Sequence, residues 1–560
     1  MNMNTENTVS SLPASTRCIM IPELLCKIFE QVHVFDPFVR GTAKTLVALA
    51  LTCKLFSEPA LDLVWRDLHG FEPLIRCLPK NLWKQEERKL EFQRTMTLDD
   101  WSIFRKYNYR IRSLVNRYHP LYMNHTILRD TEIWRALSSP PFSLPLLPNL
   151  TTLTWTEATN ETFQYILLFV TPRLTELDIS VARSGPPFTL GPSEQSTFSS
   201  IAKSCPSISR FSFSSQRYDS QQIVGDTSIA LQFWPHLTSV KIGTVSEAAI
   251  LQLSNLPSLR VLECGLPSTS ISTDAQKLLQ RPAFCALQEL TVTCKSPVIL
   301  EAFLEKLTIT PKILSFRFAR GVDPARVLPA LISRLSSACA RSPLQKVQLR
   351  ILDDDQPVDL NVPIGAAAFQ PLFAFRNLRV LDFVADGHCT VRMDDASLLQ
   401  MAKAWPHLEE LYISRYSHSN YRVTPHAFVL LLWHCPRLRS VAVLIDWSTI
   451  DVHAIPPDLP YQGFSQKALT NLFINGWRIE NPTSIAAFLS VIAPNVRSIS
   501  GWDSDIHGYD SDAIDNSWTV VQSLIATLPM VREQGRRMVL NRLMRGSHNH
   551  HTTMQRGGRH

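Results

Sequence analysis

From residue 147 onward the chain repeats one short pattern: an apolar residue, two others, an apolar residue, one other, an apolar residue, often two positions after a proline. Pro148-Asn-Leu150-Thr-Thr-Leu153-Thr-Trp155 and Pro172-Arg-Leu174-Thr-Glu-Leu177-Asp-Ile179 show it in full. Thirteen copies are found, with the first apolar position at Leu150, Leu174, Ile208, Leu237, Leu259, Leu287, Ile313, Leu344, Leu378, Leu408, Leu438, Leu469 and Val496. Their spacing runs from 22 to 34 residues, with a mean of about 29. Self-similarity of this kind signals stacked structural units that bury a shared core.

A stretch of helical periodicity precedes the copies, as at Glu161–Val170, Glu247–Leu253, Ala396–Ala404, Pro425–Trp433 and Ser484–Ile492. Ser, Thr or Asp stands near several starts, and in Thr424-Pro425 the proline falls in the first helical turn. The proline on the far side ends the helix and biases the residue before it toward extended backbone. After it, Leu381 and Phe383, or Leu411 and Ile413, alternate with polar residues as in a strand with one buried face. The unit is helix, turn, short strand, and the fold class expected is α/β with parallel short strands on one wall and helices on the other. The Leu-x-x-Leu-x-Leu spacing resembles a leucine-rich repeat, which implies an irregular horseshoe solenoid. The Asn or Cys usual after that core is mostly missing. A purely helical solenoid is the runner-up. Cys205, Cys435, Trp234 and Trp405 share the slot before the proline, so the slot reads as apolar packing and not as thiol or metal chemistry.

Residues 19–67 depart from the pattern. Leu24, Leu25, Ile28 and Phe29 fall on one helical face. A second helical stretch covers 46–56 and a third Glu58 to Trp65, with Asp36-Pro37 and Gly41 in the loop between the first two. Three helices in so short a segment make a core that is marginal alone. Three blocks agree in order with one known motif: Ile21-Pro22-Glu23-Leu24-Leu25 with Ile28-Phe29, Leu49-Ala-Leu-Thr-Cys53-Lys54-Leu-Phe56, and Val64-Trp65-Arg66-Asp67-Leu68. The segment resembles an F-box, and with the repeats the chain resembles the fungal F-box proteins with degenerate leucine-rich repeats. Ile21 stands where the motif usually opens with Leu, and the first loop is long. The resemblance implies a substrate receptor of a Skp–cullin–F-box ubiquitin ligase. It further implies that Pro22, Leu24, Leu25, Ile28, Phe29, Leu49 and Cys53 include the surface docking the Skp adaptor, some of them instead holding the helices together. The alternatives are a three-helix cap on the end of the array, and a binding scaffold with no ligase role.

Composition narrows the class. Of 560 residues, 45% are hydrophobic and 19% charged, enough for most of the chain to bury a core. The net charge of +7 is too small on this length to argue for nucleic acid. No run approaches the ~20 apolar residues that cross a bilayer, and the first ten residues lack the basic and apolar regions of a secretory signal. Eleven cysteines without CxxC spacing fit a reducing compartment. These readings point to a soluble cytoplasmic or nuclear protein with no membrane partner.

The organisation expected is a disordered 1–18, an F-box over 19–67, a connector over 68–146, repeats over 147–531 and a flexible basic tail over 532–560. In the connector, Lys80–Arg94 reads as a charged helix anchored by Trp83, and Ile111-Arg-Ser-Leu114 as a degenerate first repeat. The tail carries seven arginines against one glutamate and so supplies six of the seven net charges. Met538, Val539, Leu540 and Leu543 can extend a last helix there, and a nuclear-localisation or acidic-partner contact is its functional reading. Asp353-Asp354-Asp355 reads as a solvated turn. Asp503-Ser-Asp505-Ile-His507-Gly508 opens like a calcium loop but puts Ile514 where Glu is needed. No nucleotide loop, HExxH, GxSxG or paired CxxC occurs, so no catalytic residue, metal ligand or cofactor is expected. The ligand of the repeats is an unidentified protein, met by residues beside the strand leucines such as Thr175, Glu176, Asp178, Glu409, Glu410, Tyr412, Arg439 and Ser440.

Overall fold

In the computed structural model the described residues are 21–32, 40–86, 89–115, 131–181, 188–215, 228–267, 272–279, 283–305, 307–319, 324–352, 364–385, 391–413, 423–450, 463–474, 479–501 and 511–556. The loops at 36–37, 353–355 and 503–508 and the first 18 residues lie outside them. The chain divides into two compact units, Met1–Gly265 and Leu266–His560. It is an α/β protein whose fifteen principal strands run in parallel ladders, seven in the first unit and eight in the second.

The first unit opens with α1 (Pro22–Val32), α2 (Arg40–Thr52) and α3 (Lys54–Arg66). Its strands are β1 (Asp67–His69), a hairpin of β2 (Trp83–Glu86) and β3 (Lys89–Phe92), then β4 (Ser113–Val115), β5 (Thr152–Ala158), β6 (Glu176–Val181), β7 (Arg210–Ser215), β8 (Ser239–Thr244) and β9 (Val261–Gly265). The parallel order is β1-β4-β5-β6-β7-β8-β9. β4 includes Leu114, where the pattern predicted a degenerate first copy. β1 was not foreseen, and its Leu68 pairs in register with Leu114. The charged segment Lys80–Arg94 is not the helix expected. It forms the antiparallel β2–β3 hairpin, and its anchors are the fully buried Leu82 and Leu90, with Trp83 only half-buried. Trp83-Lys-Gln-Glu86 pairs in antiparallel register with Lys89-Leu-Glu-Phe92.

In the second unit β10 (Glu289–Cys294), β11 (Ile313–Ala319), β12 (Lys346–Leu352), β13 (Ile364–Gly365), β14 (Val380–Ala385), β15 (Val391–Arg392), β16 (Glu410–Ile413), β17 (Ser440–Ala442), β18 (Asn471–Ile474) and β19 (Ser498–Gly501) follow. All but the small β13–β15 pair lie in one parallel series in chain order. Each of the thirteen copies thus carries a strand. A single hydrogen-bond geometry recurs: the residue after the first apolar position of a copy, its buried leucine slot, donates its N–H to its counterpart in the previous copy. Examples are Thr175 to Thr151 (2.8 Å), Arg379 to Gln345 (2.7 Å) and Arg497 to Thr470 (2.8 Å). Lys312 donates to Gln288 in the same way (2.7 Å), which puts Pro311 in the slot and not Ile313. At this copy the proline that elsewhere precedes the slot occupies it, and Leu314 and Phe316 supply the buried strand positions.

The helices start where their caps dictate. The side chains of Ser246, Asp394 and Thr424 each accept from the N–H three residues on, and Pro425 sits in the first turn. At the other end Cys205, Trp405, Cys435 and Ala493 close the last turn with an N–H to the carbonyl four back. Cys205, Trp234, Trp405 and Cys435 are all fully buried, and burial pushes the thiols of Cys205 and Cys435 up to about 12. The helix expected at Glu161–Val170 is a tighter 3-10 segment, Phe163–Phe169. The last helix, Ser511–Arg556, extends well past the point where a polar tail was expected. Its Gln522 accepts from Ile499 N–H (3.4 Å) and donates to the Arg497 carbonyl (3.2 Å), satisfying main-chain groups of the last strand.

Candidate functional site

The N-terminal helices are shaped by a few local choices. Ile21 closes the first turn of α1 by accepting from Leu24 and Leu25 N–H, and Pro22 follows as the first helical residue. The second helical stretch, expected to reach Phe56, breaks at Cys53, whose extended backbone (φ −156°, ψ 162°) separates α2 from α3. α3 therefore begins earlier than Glu58.

The core of this module is small: Leu25, Phe29, Leu46, Ala60 and Leu63, with Val32, Leu49, Ala50, Phe56 and Val64 partly buried against it. Phe29 and Phe56 meet edge-on with ring centroids 5.3 Å apart. Of the seven residues singled out from the sequence, Leu25 and Phe29 hold the helices together, and Leu49 is half-buried against them. Leu24, Ile28 and Cys53 are exposed. Pro22 lies in α1, and its side chain is outside the described set.

Exposure also identifies four residues that sequence reasoning missed. Ile21, just before α1, and Leu24 and Ile28 on it form one solvent-facing row at helical spacing. Val47 and Leu51, also four apart, form another on α2, and Leu55 follows at the start of α3. Leu51 is 82% exposed, more than any other large apolar side chain among the described residues. Together the six leave about three whole side chains' worth of aliphatic surface in water. The signal was present in Val47 and Leu51, which sit one position beyond the core rows of Leu46 and Ala50.

The module is joined tightly to the strands. α3 ends at Arg66 and β1 begins at Asp67, with no linker between them. Arg110, its side chain only 5% exposed, reaches back to the carboxylates of Glu58 and Asp62 and to the Glu58 carbonyl (3.4 Å). Burial works against its charge, but the two acids outweigh it and hold the guanidinium above its usual range. Trp65 packs on Tyr107, with ring centroids 4.7 Å apart.

The residues expected beside the strand leucines alternate with them as predicted. Glu176 and Asp178 flank the buried Leu177 and Ile179, and Glu410 and Tyr412 flank Leu411 and Ile413. Ser440, by contrast, is buried. Neighbouring copies pair their charges: Glu176 with Arg210, Glu409 with Arg379 (3.6 Å), and Asp382 with Arg350 (2.9 Å). Tyr412 and Phe473 meet with ring centroids 5.5 Å apart. Among the described residues no three His, Cys, Asp or Glu side chains are grouped to hold a metal ion, and no helix is long and apolar enough to cross a membrane.

No family model matches the chain, and no curated protein does. Among solved structures it is similar to the crystal structure of the Rad7 and Elc1 complex in yeast, with a TM-score of 0.31 and 13% identity over 61% of this chain and 78% of that one. A likeness of this size carries no function across.

Proposed function

We propose that the chain is the substrate-recognition adaptor of a Skp–cullin–F-box ubiquitin ligase. The three N-terminal helices dock the Skp adaptor, and the strand–helix copies, a degenerate leucine-rich-repeat solenoid, take a protein substrate. The observation that carries this reading is the set of six exposed aliphatic side chains on a three-helix module. A core of five buried residues is marginal, and so large an apolar exposure on so few residues marks a protein-binding face. The agreement of the three motif blocks with the F-box adds the kind of partner. In this reading the protein holds no catalytic residue or cofactor. It raises the effective concentration of substrate lysines near an enzyme recruited through the cullin. The direct passage of α3 into β1 and the Arg110 clamp support it, because they fix the docking face relative to the first strands.

A second reading rests on that same clamp: the helices close the end of the repeats and serve a binding scaffold with no ligase role. The test is co-purification of the full-length chain with purified Skp adaptor and cullin. Ternary assembly that is lost in a Leu24→Asp, Ile28→Asp, Leu51→Asp variant supports the ligase reading. Binding of neither protein by a correctly folded chain leaves the scaffold.

A further inference from the structure

Among its described side chains, the C-terminal helix Ser511–Arg556 is packed over its first part only. Trp518, Val521 and Ile525 are buried, and Arg532 donates to the Ser490 carbonyl (2.9 Å). From Glu533 to Leu543 every residue is exposed. Yet this emergent stretch and the turn before it carry Met530, Val531, Met538, Val539, Leu540 and Leu543, each more than half exposed. At about 100° per residue, Val531 and Met538 lie on one face, Leu540 and Leu543 on roughly the opposite one, and Met530 and Val539 on the two flanks between them. A helix that is apolar on two sides needs cover on two sides.

The charges say what kind of cover. Between 530 and 543 stand Arg532, Arg536, Arg537 and Arg542 against Glu533 alone, and Glu533 is paired with Arg537 (2.9 Å). The same helix of a second copy would set arginines against arginines. An anionic membrane surface would cover one apolar face and leave the other in water. Nucleic acid would meet the arginines and leave both apolar rows uncovered. What satisfies all three features is an acidic protein that encloses a basic helix between apolar walls. Calcium-loaded helix-pair sensors, with their methionine-lined grooves, have this chemistry.

We propose that residues 530–543 are a docking helix for an acidic calcium-sensor protein, which clasps it from both faces. The inference is independent of the adaptor reading. The test titrates the full-length chain with calmodulin as the probe, in calcium and in excess chelator. A one-to-one complex that forms only with calcium is expected. Leu540→Asp with Leu543→Asp, and separately Val531→Asp with Met538→Asp, should each weaken it by at least about 30-fold. Because all four side chains are exposed, the circular dichroism spectrum should not change. Arg536→Gln with Arg542→Gln should weaken the complex and flatten its salt dependence. Leu51→Asp should leave it intact, which separates this site from the N-terminal face. Absence of a complex, a complex indifferent to calcium, or loss from one apolar row only overturns the proposal. So does tighter binding to anionic vesicles or duplex DNA, or self-association that the same substitutions abolish.

Discussion

Leu51 and Leu25 offer a sharp division between docking and folding, because both lie in the N-terminal helices and only one is buried. Leu51 is 82% exposed and Leu25 is 1% exposed. Truncating Leu51 to Ala removes atoms that contribute almost nothing to the isolated fold. If a partner buries them, the loss is about 2 kcal/mol at ~0.8 kcal/mol per carbon, or roughly 30-fold in affinity. Leu25→Ala instead opens a cavity in a core of five residues and should cost about 2–5 kcal/mol of stability. The assay is titration calorimetry of the full chain against purified Skp adaptor, with thermal melts of both variants. Leu51→Ala should bind weakly and melt normally. Leu25→Ala should lose protection of α1 to α3 against hydrogen exchange. If Leu51→Ala binds within about 3-fold of the parent, or destabilises as much as Leu25→Ala, the assignment of these rows is refuted.

Three further outcomes are expected. Arg110→Ala should loosen the three helices from the first strands by roughly 1–2 kcal/mol, the modest figure reflecting how exposed Glu58 and Asp62 are; proteolysis near Arg66 measures it. Asp100 is buried, and its hydrogen bond from Arg94, with help from Thr97, lowers its carboxyl from 3.8 to about 2. Its contribution is therefore full above about pH 4 and disappears as pH falls through 2, so melting differences between the parent and Asp100→Asn should shrink over that window. Among the nine described cysteines, Cys26, Cys53 and Cys285 should react with a thiol reagent in the native protein, and Cys77 more slowly, because partial burial raises its thiol. Cys205, Cys264, Cys294, Cys339 and Cys435, buried and each pushed up to about 12, should react only after unfolding.

Much of this was legible along the chain. Strand positions were set by the period-two alternation of leucines after a helix-ending proline, a local rule that needs no knowledge of the neighbours. Where that rule bent, reading failed. Pro311 took the place of a leucine, and only the Lys312–Gln288 hydrogen bond reveals the frame. The Lys80–Arg94 segment has too few apolar residues to favour either period, so a pairing of Trp83–Glu86 with Lys89–Phe92 decided it.

The sequence by itself determined the repeating unit and the parallel strands, and marked the N-terminal segment as helical. Backbone preferences and apolar spacing act over a few residues and leave their mark in the letters. Only the tertiary structure decided which leucine faces which way. Leu24, Leu25, Ile28 and Phe29 share one apolar stripe, and no period distinguishes them. The packing of α1 against α2 and α3 takes in Leu25 and Phe29, while Leu24 and Ile28 remain in water. The same holds at the other end, where Val539 and Leu543 continue the spacing of the buried Val521 and Ile525, but the helix outlasts the surface that covers it.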